Sequence, residues 1–297
     1  MSIPYSNSIA EVLDKHLRIR HNGSWQYVED VRIKDGGTWQ DVKEVHIRSG
    51  GSWHLVHEGE HFLFNKQIDN DQQDQFNLAD WISGQGYSGT KIKGALIINN
   101  LQQRVNLGSF SSDSKVYLRI NSNKRISGRG GNGGQRGQGG ASNGQNGQRA
   151  LYTRTPFIID NGGIITGGGG GGAGGRNGTI SQTVQETNNC MKGSQCTNQY
   201  VVTNNTNGGG GGGGAGFPGG NGGGNGAQNG QANGGGSGGG NGGGSAKSGG
   251  GGGALGQDGQ DPQDNLGGSK GSAGLAIDGW SERLSGTNGD IRGAVTN

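Results

Sequence analysis

The sequence predicts a two-part fold. A mostly β N-terminal domain carrying three tryptophan hairpin repeats comes first, and a polyglycine II helix bundle with variable loops follows it. Three observations predict this. A 14-residue repeat near the N-terminus brings a turn and then a tryptophan in each copy, the stretch after it has ordinary strand-like composition, and 61 of the 170 residues beyond position 127 are glycine. The expected boundaries are 1–127 for the first domain, with the repeats at 16–58, and 128–297 for the second.

Residues 1–15 are ambiguous, with room for one helical turn near Ile9. The repeat then reads Leu17-Arg18-Ile19-Arg20-His21-Asn22-Gly23-Ser24-Trp25, and its later copies run from Val31 to Trp39 and from Val45 to Trp53. An apolar-polar-apolar start, an Asn-Gly or Gly-Gly turn and a second strand opening on tryptophan make a hairpin signature. One hairpin cannot bury its own apolar face, so the three must pack together or on a partner. Trp25, Trp39 and Trp53 could fill a small shared core. Three equivalent aromatic anchors in one chain also suit a threefold-symmetric partner, and the module is read as the cap of a homotrimer.

All six histidines lie in or beside this module. The spacing of His54, His57 and His61 invites comparison with a metal site, yet strand periodicity does not place i and i+3 on one face, and no fourth ligand is evident. No metal and no cofactor is expected. From 58 to 127, Phe62-Leu63-Phe64, 92–98 and 116–120 read as strands, and 76–82 as a short amphipathic piece ending at Gly84.

Beyond 127, glycine recurs every third residue from Gly128 to Gly140 and from Gly250 to Gly259, and it runs continuously at 167–172, 208–214 and 249–253. Period three belongs to an extended left-handed helix without internal hydrogen bonds, which only neighbouring helices can satisfy. A disordered linker is the competing reading, since Leu, Ile, Val and Phe make up 18 of the 170 residues. Against it stand the balanced charge, ten Lys/Arg to eight Asp/Glu, and the blockwise arrangement of the glycines. Ordering a residue costs about 1–2 kcal/mol and a net hydrogen bond returns about 0.5–1.5 kcal/mol, so such a bundle must be dense and cooperative. The last strand before Gly128 supplies its nucleus. Phe157-Ile158-Ile159, Ile164-Ile165, 275–277 and Ile291 are assigned to the lattice and its flank.

Function classes are narrowed by what is missing. No basic stripe or aromatic RNA-binding pattern supports nucleic-acid binding at a net charge of +3. No stretch has the roughly 20 apolar residues of a membrane helix, and the N-terminus lacks the pattern of a signal peptide. The G-x-G-x-x-G matches arise from the glycine background, and Asp258, Asp261 and Asp264 read as a solvated acidic loop rather than a calcium site. Cys190 and Cys196 lie in one polar loop, either as a disulfide or as free thiols.

Hairpin repeats bearing tryptophan, followed by segments such as Ile126-Ser127-Gly128-Arg129-Gly130-Gly131 and Ile164-Ile165-Thr166-Gly167-Gly168-Gly169 between variable polar loops, resemble the long-tail-fibre tip adhesins of T-even-type bacteriophages. The Salmonella-phage type is the nearest in appearance, and the resemblance covers essentially the whole chain. It implies a non-enzymatic virion protein made in the host cytoplasm and placed at the fibre tip. It further implies that the N-terminal domain attaches to the homotrimeric distal fibre protein, one adhesin per trimer, with Trp25, Trp39 and Trp53 at the junction. A polyglycine II sandwich would display loops that bind an outer-membrane protein, commonly a porin such as OmpC, and so set host range. Within the loops at 141–155 and 177–207 and near the C-terminal acidic cluster, the expected receptor-binding residues are Tyr152 and Tyr200, with Leu151, Met191 and Val201 as apolar support and Asp258, Asp261 and Lys270 as polar contacts. A fibre-assembly chaperone would share the trimer-docking module. An ice-binding polyglycine protein would have short uniform turns and no such mount.

Overall fold

The structure is a computed structural model that describes residues 18–297 apart from 22, 28–30, 43, 59–60, 73, 138–140, 190–194, 225, 241–242 and 265. It divides into two units. One comprises Met1–Ser127, Arg149–Thr166 and Leu275–Asn297, and the other Gly128–Gln148 and Gly167–Gly274. Position 127/128 is therefore where the chain first changes unit, but two later stretches belong with the N-terminal one.

In the first unit, three antiparallel pairs open the described chain: β1 (Arg18–His21) with β2 (Ser24–Tyr27), β3 (Arg32–Asp35) with β4 (Thr38–Asp41), and β5 (Glu44–Ser49) with β6 (Ser52–Glu58). The turns of the second and third use Gly36-Gly37 and Gly50-Gly51, all at positive φ between 57° and 88°. Two successive left-handed residues match the right-handed twist of the flanking strands, which is why glycine stands at both positions.

The rest of this unit is a parallel coil, in which successive turns of the chain lay strands on three sheets. The first sheet holds β7 (Phe62–Ile68), β9 (Ile92–Ile98), β12 (Lys115–Ile120), β15 (Phe157–Asn161) and β20 (Arg283–Thr287). The second holds β10 (Leu101–Gln103), β13 (Arg125–Ser127), β16 (Ile164–Thr166) and β21 (Asp290–Arg292). The third holds β8 (Phe76–Asn77), β11 (Val105–Asn106), β14 (Leu151–Tyr152), β19 (Ile277–Asp278) and β22 (Val295–Thr296). Every neighbouring pair is parallel.

Parallel register stacks equivalent side chains in columns through the interior. Leu96, Leu118 and Ile159 form one, and Val105, Leu151 and Ile277 another. Ile126 and Ile165 form a third, continued by the half-buried Ile291. Gly94 interrupts the Phe64–Val116–Phe157 column because a Cβ there would lie 2.4 Å from the Phe64 ring. Helix α1 (Leu78–Gly84) is N-capped by Asn77, whose side chain accepts from the Ala79 amide, and it buries Leu78 and Ile82 in the same core.

This architecture corrects one expectation. Phe157 and Ile159, Ile164-Ile165, Ile277 and Ile291 do not flank the glycine lattice. They belong to strands of the coil, because Phe157, Ile159, Ile165 and Ile277 continue apolar columns begun before residue 127.

The second unit contains almost no strand apart from one ribbon, yet its backbone is hydrogen-bonded with a period of three. In the 167–177 segment, the amides of Gly168, Gly171 and Gly174 donate to Gln148, Gln145 and Ser142. Those of Gly169, Gly172 and Gly175 donate to Ala215, Gly212 and Gly209, and those of Gly170 and Ala173 to Gln257 and Gln260. Its carbonyls accept from Gly131 and Gly134, from Gly250 and Gly253, and from Gly268, Gly271 and Gly274. Six segments thus surround it.

The 208–216 segment is enclosed in the same way. It donates to 131–134, 247–253 and 228–231, and it accepts from 169–175, 236–239 and 220–223. These two segments hold the two longest glycine runs in the chain, since a face turned toward a neighbour has no space for a side chain. A Cβ on Gly171 would stand 2.0 Å from the Asn132 carbonyl oxygen, and one on Gly211 would stand 2.0 Å from that of Gly172. Peripheral segments keep fewer glycines and turn their remaining side chains outward.

Candidate functional site

The hairpin tryptophans share one register. Trp25, Trp39 and Trp53 pair across the ladder with Arg20, Lys34 and Arg48. Trp39 is 63% exposed, with the Lys34 ammonium 6.0 Å from its ring centroid. The Lys34 ammonium beside Trp39 keeps this exposed ring hydrated at its edge and offers cation–π contact.

The residues expected to contact a receptor separate into distinct environments. Leu151 is fully buried in β14 between Val105 and Ile277, so it supports the coil and cannot meet a partner. Its neighbour Tyr152 points the other way. The Arg149 and Arg154 guanidiniums lie 4.4 Å and 4.7 Å from the Tyr152 ring centroid, and both pair with Asp278, at 2.7 Å and 2.8 Å. The hydrogen bond to Asp278 holds the Arg154 pKa above its ordinary value. This cluster is a clamp between adjacent turns of the coil.

Asp258, Asp261 and Lys270 meet one another at the surface of the glycine unit. The Asp258 and Asp261 carboxylates accept from the amides of Ala273 and Lys270, at 2.8 Å and 3.1 Å, and the Lys270 ammonium lies 3.8 Å from Asp258. Asparagines do the same elsewhere. Asn132 accepts from Asn221, Asn143 from Ser269, Asn146 from Ser272 and Asn229 from Gly222, each at 2.8 Å. A side-chain oxygen at every third position reaches across the rim to an amide that no main-chain carbonyl meets. The spacing of three between Asp258 and Asp261 carries this signal in the sequence, which reads as a solvated acidic loop, while Asp264 accepts from the nearby Leu266 amide instead.

Tyr200 and Val201 stand on the ribbon formed by β17 (Gly178–Asn189) and β18 (Gln195–Thr206), which pair antiparallel along their whole length. At about 3.4 Å per residue each strand is about 40 Å long. Alternation gives the ribbon two unlike faces. Ile180, Val184, Tyr200 and Val202 lie on one, while Thr179, Ser181, Thr183, Thr197 and Thr203 lie on the other with Val201. Tyr200 is 44% and Val201 65% exposed, and Glu186 is the one charged residue in the two strands. Cys196 is disulfide-bonded. The remaining cysteine of the sequence, Cys190, and Met191 lie outside the described residues.

Hydrogen-bond register fixes where the ribbon stands within its unit. The chain enters that unit at 128 and 167 and leaves it at 148 and 274, and it reverses direction at the same end around 216–219, 232–234 and 254–257. The ribbon, together with the reversals between 135 and 142, 224 and 227, 239 and 249, and 264 and 268, occupies the opposite end. Among the described residues, no group of three His, Cys, Asp or Glu side chains is placed to hold a metal.

The family described as phage tail fibre adhesin Gp38 matches residues 63–296. The chain belongs to this family. The match spans the parallel coil, the glycine unit and the ribbon of this Gp38 adhesin, and leaves the tryptophan hairpins outside it. The crystal structure of the gp37-gp38 adhesin tip complex of the bacteriophage S16 long tail fiber resembles the adhesin at a TM-score of 0.44 and 18% identity, covering 81% of this chain and 84% of that one. No curated protein matches it. As a Gp38 adhesin the chain is a phage tail-fibre protein.

Proposed function

We propose that this adhesin caps the tip of the phage's long tail fibre and attaches the particle to its host. The hairpins carrying Trp25, Trp39 and Trp53 dock on the homotrimeric distal fibre protein. The glycine unit is a polyglycine II lattice whose turns bind a bacterial outer-membrane protein, a porin such as OmpC being the expected class, and thereby set host range. The observation that carries this reading is the position of the ribbon. The longest insertion in the lattice stands at the end opposite the chain's entry and exit, with Tyr200 and Val201 exposed.

The lattice suits this role because mainly main-chain bonds hold its enclosed segments together. Its turns can change sequence without disturbing an apolar core. Within the ribbon, Tyr200 supplies the aromatic anchor that interfaces favour, and Val184 and Val202 flank it on the same face. Asp258, Asp261 and Lys270 first serve to close the lattice rim, and any contact they make with a receptor is additional.

The test exchanges 178–206 for the equivalent loop of an adhesin with another host and measures adsorption to both hosts. Host preference should follow the ribbon. Unchanged preference, with the exchanged protein folded and present on the particle, removes the ribbon from recognition.

A further inference from the structure

The ribbon is a two-stranded sheet, so each of its strands has one free edge. Its base shows which main-chain groups face outward. The Thr179 amide donates to Ser245 Oγ at 2.8 Å and the Thr179 carbonyl accepts from the Ser245 amide at 3.0 Å, so both groups point away from β18. Thr179 and its partner Asn205 are therefore a non-hydrogen-bonded pair, and the alternation runs on to the far end because the register has no shift. Ser181 and Thr203, two residues on, agree with this phase. Their hydroxyls meet at 3.0 Å, the close side-chain approach of a non-hydrogen-bonded pair. On β18 the outward N–H and C=O groups thus belong to Thr197, Gln199, Val201 and Thr203.

Strand edges are templates for pairing, and proteins blunt the ones they do not use. The coil does so. Its edge strand β20 carries a register shift, β21 carries Asp290 and Arg292, β7 carries Lys66, and β8, β10 and β22 have only two or three residues. β18 has none of these guards. It runs for twelve residues without charge, proline or register shift, and it places the strand-forming Tyr200, Val201 and Val202 at its centre. Gln199 and Val201 are exposed, and among the described residues no hydrogen bond from outside the ribbon reaches the outward groups from Thr197 to Thr203. The β17 edge differs, with Ser245 seated at its base and Glu186 in the strand. A row of donors and acceptors repeating every two residues, at about 6.8 Å, is matched by an extended protein backbone and not by a glycan or a lipid surface.

We infer that the β18 edge takes up an extended, surface-exposed segment of the receptor protein as a third strand, with Gln199 and Val201 at the centre of the pairing. This rests on the reading of the ribbon as the recognition element. Proline removes an outward N–H without touching the ribbon's own ladder. Gln199→Pro should lower adsorption to the propagating host at least about tenfold below Gln199→Ala, which keeps the N–H, and below Gln185→Pro, which removes the outward N–H at the same level of the other edge. Amide hydrogen exchange on the unaltered full-length protein tests the same point without a substitution. Alone, Gln199 and Val201 should exchange rapidly while Tyr200 and Val202 are protected, and outer-membrane vesicles of the host should slow Gln199 and Val201 at least about tenfold. Equal adsorption of Gln199→Pro with either comparison variant, or no slowing by vesicles, overturns the inference. Slowing by raised protein concentration without vesicles also overturns it, since the edge then pairs with a second copy. Host preference that follows the exchanged ribbon in spite of such a result leaves recognition by the ribbon standing, whereas unchanged preference removes the reading beneath the inference.

Discussion

At the scale of single residues, absent side chains matter as much as present ones. Gly171→Ala would drive a methyl group into the Asn132 carbonyl, and enclosure by six segments leaves no direction for relief. We expect a loss of at least about 3 kcal/mol, beyond ordinary overpacking, read as lowered thermal stability of the glycine unit. Gly234→Ala, where a Cβ meets nothing within 4 Å, should stay within about 0.5 kcal/mol of the parent. Leu151→Ala should cost about 2–5 kcal/mol in chemical denaturation, as expected of a core leucine rather than a receptor contact.

Asp160 gives an acid-sensitive counterpart. Burial pushes its pKa up, but hydrogen bonds from Tyr117, Arg119 and Thr287 and the charge of Arg119 outweigh this and hold it below the ordinary carboxylate value. A folded-state pKa below the unfolded one contributes stability that is fully present above about pH 4 and is lost as pH falls through the folded value. Asp160→Asn should therefore narrow the difference in melting temperature between neutral pH and pH 3. An unchanged difference would assign the acid sensitivity to other carboxylates.

At the scale of elements, each structure solves the satisfaction of its backbone differently. Coil strands pair with the turns before and after, glycine segments pair with neighbours every third residue, and the rim uses Asn and Asp side chains where a neighbour is missing. Asn146→Ala removes one such bond, to Ser272, and should cost about 1 kcal/mol with no change in fold, measured by thermal unfolding. The ribbon has no such enclosure. Its strands pair with each other over twelve residues and leave most side chains exposed, so beyond its base, where Thr179 and Thr206 bond to Ser245 and Gly243, it can vary without consequence for the lattice.

At the scale of the whole molecule, the proposed function assigns attachment and display to different parts of the chain. Replacing Trp25, Trp39 and Trp53 together by alanine should leave circular dichroism of the adhesin close to the parent while reducing the amount recovered on purified particles. Normal recovery on particles would exclude the hairpins from docking. Any fibre-capping role then moves to the parallel coil, whose last turn leaves Leu284 and Val295 55% and 41% exposed.

The sequence by itself determined the kinds of structure present. Strand-turn-tryptophan spacing marked the hairpins, and third-position glycine marked backbones satisfied by neighbours, because both signals are local periodicities. It marked 177–207 as a polar loop with Tyr200 as a receptor contact and Val201 as its apolar support, but gave no sign of the two paired strands. The coil was not legible, because its columns join residues separated by long excursions: Val105, Leu151 and Ile277 share one column although 125 residues lie between the last two. For that reason Leu151 read as a loop residue and Ile164-Ile165 as lattice flank. The tertiary structure alone decided which glycine segments are enclosed, which end carries the ribbon, and which main-chain groups of the ribbon face outward. Each of these depends on which distant segments become neighbours, and short periodic patterns carry no information about that.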